Sequence, residues 1–231
     1  MKKLFALMLL GIAILGTATG NDLKRDGLFG KVHTLNQEQW NVTNKFGKYV
    51  KESLSGKYSY TYDDKGNKTE WALYNADGSL SDKEIYTYDD KGNKTESAAY
   101  NAAGSLIRKG IYTYDDKGNN TELAYYNADG SLSGKEIYTY DGKGNNTESA
   151  SYNADGSLSG KYFSTYDDKG NKTEWANYNA AGSLNGKYYY TYEYDKFGSW
   201  TVQIISKEVL KFGKVYFEPT AATFRTITYY P

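Results

Sequence analysis

Residues 61–86 read TYDDKGNKTEWALYNADGSLSDKEIY, and the same 26-residue unit begins again at Thr87, Thr113, Thr139 and Thr165. The five copies cover 61–190, and sixteen of the 26 positions are identical in all of them. Self-similarity at a fixed period marks a repeat architecture, in which each unit packs on its neighbours. Every unit carries two turn signals, Asp-Asp-Lys-Gly-Asn and Asn-Ala-Asp/Ala-Gly-Ser. The glycines of the first turn are Gly66, Gly92, Gly118, Gly144 and Gly170. Glycine takes positive φ at little cost, and Asn or Asp bonds back to the local backbone. Successive turn glycines lie 12 and 14 residues apart in alternation, which leaves strands of roughly eight residues once about four turn residues are subtracted. A helix of ~11 residues has no room between them.

Within a strand, residues two apart share a face. Parity counted straight through the first copy puts Tyr62, Ala72, Tyr74, Leu80 and Tyr86 on one side, with Trp71, Leu73 and Ile85 on the other. The first set barely changes between copies. The second varies, with Trp71, Ser97, Leu123, Ser149 and Trp175 at one equivalent position. The pattern predicts a packed tyrosine ladder (Tyr62, Tyr74, Tyr88, Tyr100, Tyr114, Tyr126, Tyr140, Tyr152, Tyr166, Tyr178) and a variable contact side. Glu70, Glu96, Glu122, Glu148 and Glu174 share the ladder's parity and are expected near strand ends.

The expected fold is all-β: an elongated array of tandem antiparallel β-hairpins, a twisted single-layer sheet or a β-solenoid, with capping strands at both ends. Residues 21–60 would supply the N-terminal cap strands. Residues 191–231 open on a degenerate copy and continue as a C-terminal cap, whose last connection Pro219 breaks. Both caps would protect sheet edges from pairing with another chain. Residues 1–20 read MKKLFALMLLGIAILGTATG. Two lysines, a short apolar run and small residues are the parts of a cleaved secretory signal, and the run falls short of the ~20 residues of a bilayer span. No cysteine follows it, so the exported chain is expected to be secreted or periplasmic, without a lipid anchor.

Lys+Arg and Asp+Glu are 28 each, so the chain lacks the basic footprint of a nucleic-acid binder. It has no cysteine and one histidine, His33, which excludes thiolate chemistry and Cys- or His-rich metal sites. Tyrosine, at 26 residues, dominates instead.

YTYDDKGN resembles the tyrosine–aspartate repeat of the Rhs family, with its pattern G-x-x-x-Y-x-Y-D-x-x-G. Gly134, Tyr138, Tyr140, Asp141 and Gly144 fit that pattern. The resemblance covers about residues 56–200 and implies a secreted or surface hairpin array with a scaffold or binding role. Large members enclose a toxic C-terminal domain. This chain has few repeats and mostly Asn where Arg is common after the glycine. It is closer to the short secreted proteins of that type. MORN-like repeats are a more distant resemblance.

Chemical readings of the repeat compete with plainer ones. The Asp-rich turns could attract calcium, which wants six to eight oxygens; a turn whose Asp caps its own backbone is the simpler account. No cofactor or metal is expected. Repeated carboxylates such as Asp63 and Glu70 could pair as glycosidase acids, but every copy carries the same set, whereas a hydrolase depends on one distinctive pair. The chain therefore reads as non-enzymatic. The contact residues expected on the variable side are Trp71, Tyr125, Trp175 and Tyr189, with glycans or envelope or host proteins as partners. A carbohydrate- or cell-wall-binding module using those rings is the alternative.

Overall fold

In the Asp-Asp-Lys-Gly-Asn turns, the first Asp organises the backbone. Asp63 Oδ1 accepts hydrogen bonds from the amides of Lys65 and Asn67, at 3.0 and 2.8 Å, and Oδ2 accepts one from Asn67 Nδ2 at 2.9 Å. Asp89, Asp115, Asp141 and Asp167 repeat the arrangement. Each turn also needs a left-handed residue, supplied at the third copy by Gly118 with φ 80°. Valine there would be strained by about 1–3 kcal/mol. Gly118→Val is therefore expected to lower the urea midpoint measurably, and an unchanged midpoint would mean the turn tolerates a side chain.

The other turn has two forms set by one residue. Where Asp is present, as at Asp77, its carboxylate accepts from both the amide and the hydroxyl of Ser79. Where Ala stands instead, Asn101 Oδ1 takes over and accepts from the Ala103 and Ser105 amides.

This computed structural model describes residues 22–45 and 48–230. The expected leader, residues 1–20, lies outside the described residues. A single helical turn, α1 (Asp22–Arg25), precedes fourteen strands. The first two are β1 (Val32–Lys45) and β2 (Lys48–Tyr62). The repeats form β3 (Lys68–Tyr74), β4 (Leu80–Tyr88), β5 (Lys94–Asn101), β6 (Leu106–Tyr114), β7 (Asn120–Asn127), β8 (Leu132–Tyr140), β9 (Asn146–Asn153), β10 (Leu158–Tyr166), β11 (Lys172–Asn179) and β12 (Leu184–Tyr194). Last come β13 (Trp200–Lys211) and β14 (Lys214–Tyr229).

Successive strands pair antiparallel, as the repeat predicts, but the array is not open. β1 pairs with β14, with Leu35 opposite Ile227 and Gln37 opposite Arg225, so the sheet closes into a fourteen-stranded barrel. The terminal strands are therefore not caps on a rod or solenoid; they seal one another. The physical reason is that an open array ends in two rows of unpaired N–H and C=O groups, and joining those rows removes both edges. Curvature comes from a β-bulge at nearly every strand pair, for example between Thr87 and Tyr88 where they face Glu96 and Lys94.

The same bulges defeat parity counted through the turns. Glu70, Ala72 and Tyr74 lie on the outer face together with Ile85, which pairs with Glu70. Tyr60 pairs with Trp71 on the inner face. The tyrosines expected on one side are thus split. Tyr74, Tyr100, Tyr126, Tyr152 and Tyr178 face outward. Tyr62, Tyr88, Tyr114, Tyr140 and Tyr166 face inward. Tyr140 and Tyr166, with Tyr192 of the degenerate copy, do one local job: their hydroxyls donate to the carbonyls of Asn120, Asn146 and Lys172, at 2.8, 2.8 and 2.9 Å, so each ties its strand to the one before it.

The glutamates lie on the outer face, each the third residue of its strand. Glu96, Glu122, Glu148 and Glu174 pair with Lys109, Lys135, Lys161 and Lys187, at 2.9, 2.9, 2.7 and 2.9 Å. Exposed surface pairs contribute little to stability. Their value here is to label the outer wall as charged, with Ile111, Ile137 and Phe163 exposed among them.

Candidate lumenal site

A barrel of about eight strands is filled by its own side chains, whereas 16–18 strands leave an aqueous channel. With fourteen, the interior is a space with a lining. One end of it is occupied by the chain itself. Residues 22–30 enter at the mouth ringed by the Asp-Asp-Lys-Gly-Asn turns, where Leu23 N donates to Gly66 O at 3.3 Å and Phe29 N donates to Ser199 Oγ at 2.9 Å. Leu23 and Leu28 pack with Val32, Leu35, Tyr60 and Tyr62, against which Trp71 and Tyr229 also lie.

Two carboxylates hold this N-terminal plug. Asp26 forms an ion pair with Lys68 at 2.9 Å and accepts a hydrogen bond from the Tyr62 hydroxyl. Arg225 Nη1 donates to Asp26 O at 2.8 Å. Asp22 faces Lys94 at 3.9 Å and accepts from the Tyr88 hydroxyl and, at 2.9 Å, from Lys68 N. Burial would push the Asp26 carboxyl up, but the Lys68 ammonium, the Tyr62 hydroxyl and Arg225 more than offset it and hold it below 3.8. Burial pulls the Arg225 guanidinium down to about 10 against the opposing pull of Asp26. The guanidinium carbon lies over the Trp200 ring, 3.1 Å from its centroid, which suits a weakly hydrated cation.

Beyond the plug the lining is aromatic and polar. Tyr58 and Trp71, stacked at 6.1 Å between centroids, border the plug's core, and on the far strands Trp175 sits between Tyr162 and Tyr188, 5.6 Å from each. Tyr86 and Tyr138 hydroxyls donate to Glu84 and Glu136, at 3.3 and 2.6 Å. Burial pushes the Glu136 carboxyl up, partly offset by the Tyr138 hydroxyl and Arg108. Burial likewise raises the Tyr86, Tyr125 and Tyr138 phenols, with neighbouring carboxylates adding to it. These side chains are walled in yet keep part of their surface accessible, as residues lining a cavity do.

Of the four expected contact residues, Trp71, Tyr125 and Trp175 share the inner face. Tyr189 does not join them. It pairs opposite Glu174 on the outer face, packs edge-on against Phe217 at 4.6 Å and donates to Glu208 at 3.1 Å. Arg108, Glu84 and Glu136, together with Asp22, Asp26 and Arg225, are polar groups of the interior that repeat reading passed over. One signal was available: the residue after Gly-Asn is Lys at 68, 94 and 172 but Asn at 120 and 146, a variable position in an otherwise uniform motif.

The fold is a closed antiparallel β-barrel with an internal N-terminal plug. A porin-like protein from Bacteroides uniformis has a similar fold, with a TM-score of 0.52 at 13% identity over 87% of this chain and 99% of that one. A porin-like protein from Bacteroides vulgatus matches at a TM-score of 0.41 and 12% identity over 83% of this chain and 98% of that one. A structure of TcdB2-TccC3-Cdc42 matches at 0.28 and 12% identity over 78% of this chain and 12% of that one. No family profile and no curated protein matches the sequence.

Proposed function

We propose that this chain is an exported, non-enzymatic barrel that binds a carbohydrate inside its aromatic lumen. The observation that carries the reading is the placement of Trp71 and Trp175 on the inner face of strands eight steps apart one way round the fourteen-membered ring and six the other. Both indoles are half-buried on the inner face and stacked on tyrosine, Trp71 opposite Glu84 at the border of the plug's core and Trp175 two residues from Asn177. Flat apolar rings bordered by hydrogen-bonding groups suit the faces and hydroxyls of a sugar.

The outer wall supports a barrel bathed in water. A lipid-facing band is apolar, and lysine at its midplane costs about 2–4 kcal/mol. Here the lysine of a Lys–Glu pair stands at mid-strand in each of four successive repeats. The charged leader-like segment supports export, to the periplasm or beyond it.

The test is calorimetric titration of residues 21–231, purified without detergent, with a panel of neutral oligosaccharides. Binding should weaken ~10-fold or more in Trp71→Ala/Trp175→Ala, about 1.4 kcal/mol. A barrel that stays soluble only in detergent, or a double variant that binds as tightly as the parent, would overturn the reading.

A further inference from the structure

Six register-equivalent positions ring the lumen just inside the plugged mouth: Lys68, Lys94, Asn120, Asn146, Lys172 and Trp200, which face Tyr62, Tyr88, Tyr114, Tyr140, Tyr166 and Tyr194 across their hairpins. The first two lysines hold the plug's carboxylates, Asp26 and Asp22. The third has no such partner among the described residues. Lys172 is only 7% exposed, and what it engages is its backbone carbonyl, which accepts from the Tyr192 hydroxyl. The nearest acid in sequence, Asp167, is occupied by the amides of Lys169 and Asn171 and by Asn171 Nδ2. A buried ammonium without a counter-charge costs several kcal/mol, and groups of that kind concentrate where a ligand supplies what is missing.

Another group on the same wall is also unsatisfied. Trp175 and Asn177 follow Lys172 on β11 and face inward, the indole roughly 10 Å along the strand. Asn177 Oδ1 is buried without a hydrogen-bond donor. A cation, an indole flanked by two tyrosines and a vacant acceptor therefore line one stretch of the interior. Lys68 and Lys94 show what this register holds when it is filled: a carboxylate brought in from outside the sheet.

We propose that Lys172 anchors the carboxylate of an acidic glycan, a uronic-acid sugar whose ring lies against the aromatic cluster of Trp175 with Tyr162 and Tyr188 and whose hydroxyls donate to Asn177. The proposal rests on the lumenal reading above and adds the class of sugar. Lysine suits a single carboxylate as a point charge, whereas a doubly charged phosphate is better met by an arginine fork. Burial pulls the Lys172 ammonium down to about 7, so a bound carboxylate would hold its proton in place. The neighbours facing it, Tyr166 from β10 and Tyr192 from β12, are phenols raised by burial and remain neutral near pH 7. Affinity should accordingly fall as the pH rises from 6 to 8.

The experiment compares tetragalacturonate with its full methyl ester, the same chain without charge, by calorimetry at pH 6. The acid should bind at least 10-fold tighter than the ester. Lys172→Met should bring that ratio to about one while Trp175→Ala weakens both. Lys172→Met removes an uncompensated charge, so its melting midpoint should not fall, which separates a binding defect from misfolding. Equal binding of acid and ester, a preference that persists in Lys172→Met, or no binding of either would overturn the anion site. Neutral oligosaccharides that still bind in a Trp175-dependent way would leave the lumenal reading standing.

Discussion

Asp26→Ala should unfold with a midpoint roughly 10 °C below the parent, the loss of about 3–5 kcal/mol expected when one partner of a buried ion pair is removed. The change strands the Lys68 ammonium and the Tyr62 hydroxyl, and Arg225 loses the carboxylate whose charge supports it. No water replaces them at low cost, because Asp26 and Lys68 side chains are almost wholly enclosed. The pH response has a definite sign. The folded carboxyl is held below 3.8, so its stabilisation is fully present above that pH and is lost as the pH falls through the folded value. The parent should therefore lose melting midpoint more steeply at low pH than Asp26→Ala, which keeps only the contribution of the turn aspartates. A variant that melts with the parent at every pH would mean that the plug is not seated by Asp26.

The second large effect separates whole repeats from half repeats. Removing residues 113–138 deletes two strands, leaves an even number and preserves the antiparallel contact between β1 and β14. That protein should fold into a twelve-stranded barrel with a cooperative melt, since contacts run between sequence neighbours. Removing residues 113–125 deletes one strand and leaves thirteen. The two ends would then meet parallel, or β6 would have to run against its own turn. Either way the antiparallel register between β1 and β14 is lost, and edges that lose their partner recruit other chains. The half-repeat protein should elute as aggregate on size exclusion, and a monodisperse, cooperatively melting product would refute the closed antiparallel ring.

Much of this molecule can be read in one copy of the repeat. Gly66 and its equivalents, with the preceding Asp and following Asn, specify the turns, and the spacing between glycines specifies strands of the observed length. What failed was the step from strands to faces. The bulge opposite Thr87 and Tyr88 inserts an unpaired residue that no parity count sees, and it turns Lys94 inward beside Asp22 while Glu96 stays outside. Trp71 and Trp175 could be singled out as variable aromatics among uniform neighbours. Asp22 and Asp26 could not, because their role depends on lysines 42 to 72 residues away in the chain.

Local chemistry alone thus determined the hairpins, since a turn and its two flanking strands are settled by residues a few positions apart. Closure, the sorting of tyrosines to inside and outside, and the seating of the N-terminal plug were decided only in three dimensions. Each depends on groups distant in the chain finding the one partner that leaves neither an unpaired edge nor an unpaired buried charge, and no period of 26 residues encodes that meeting.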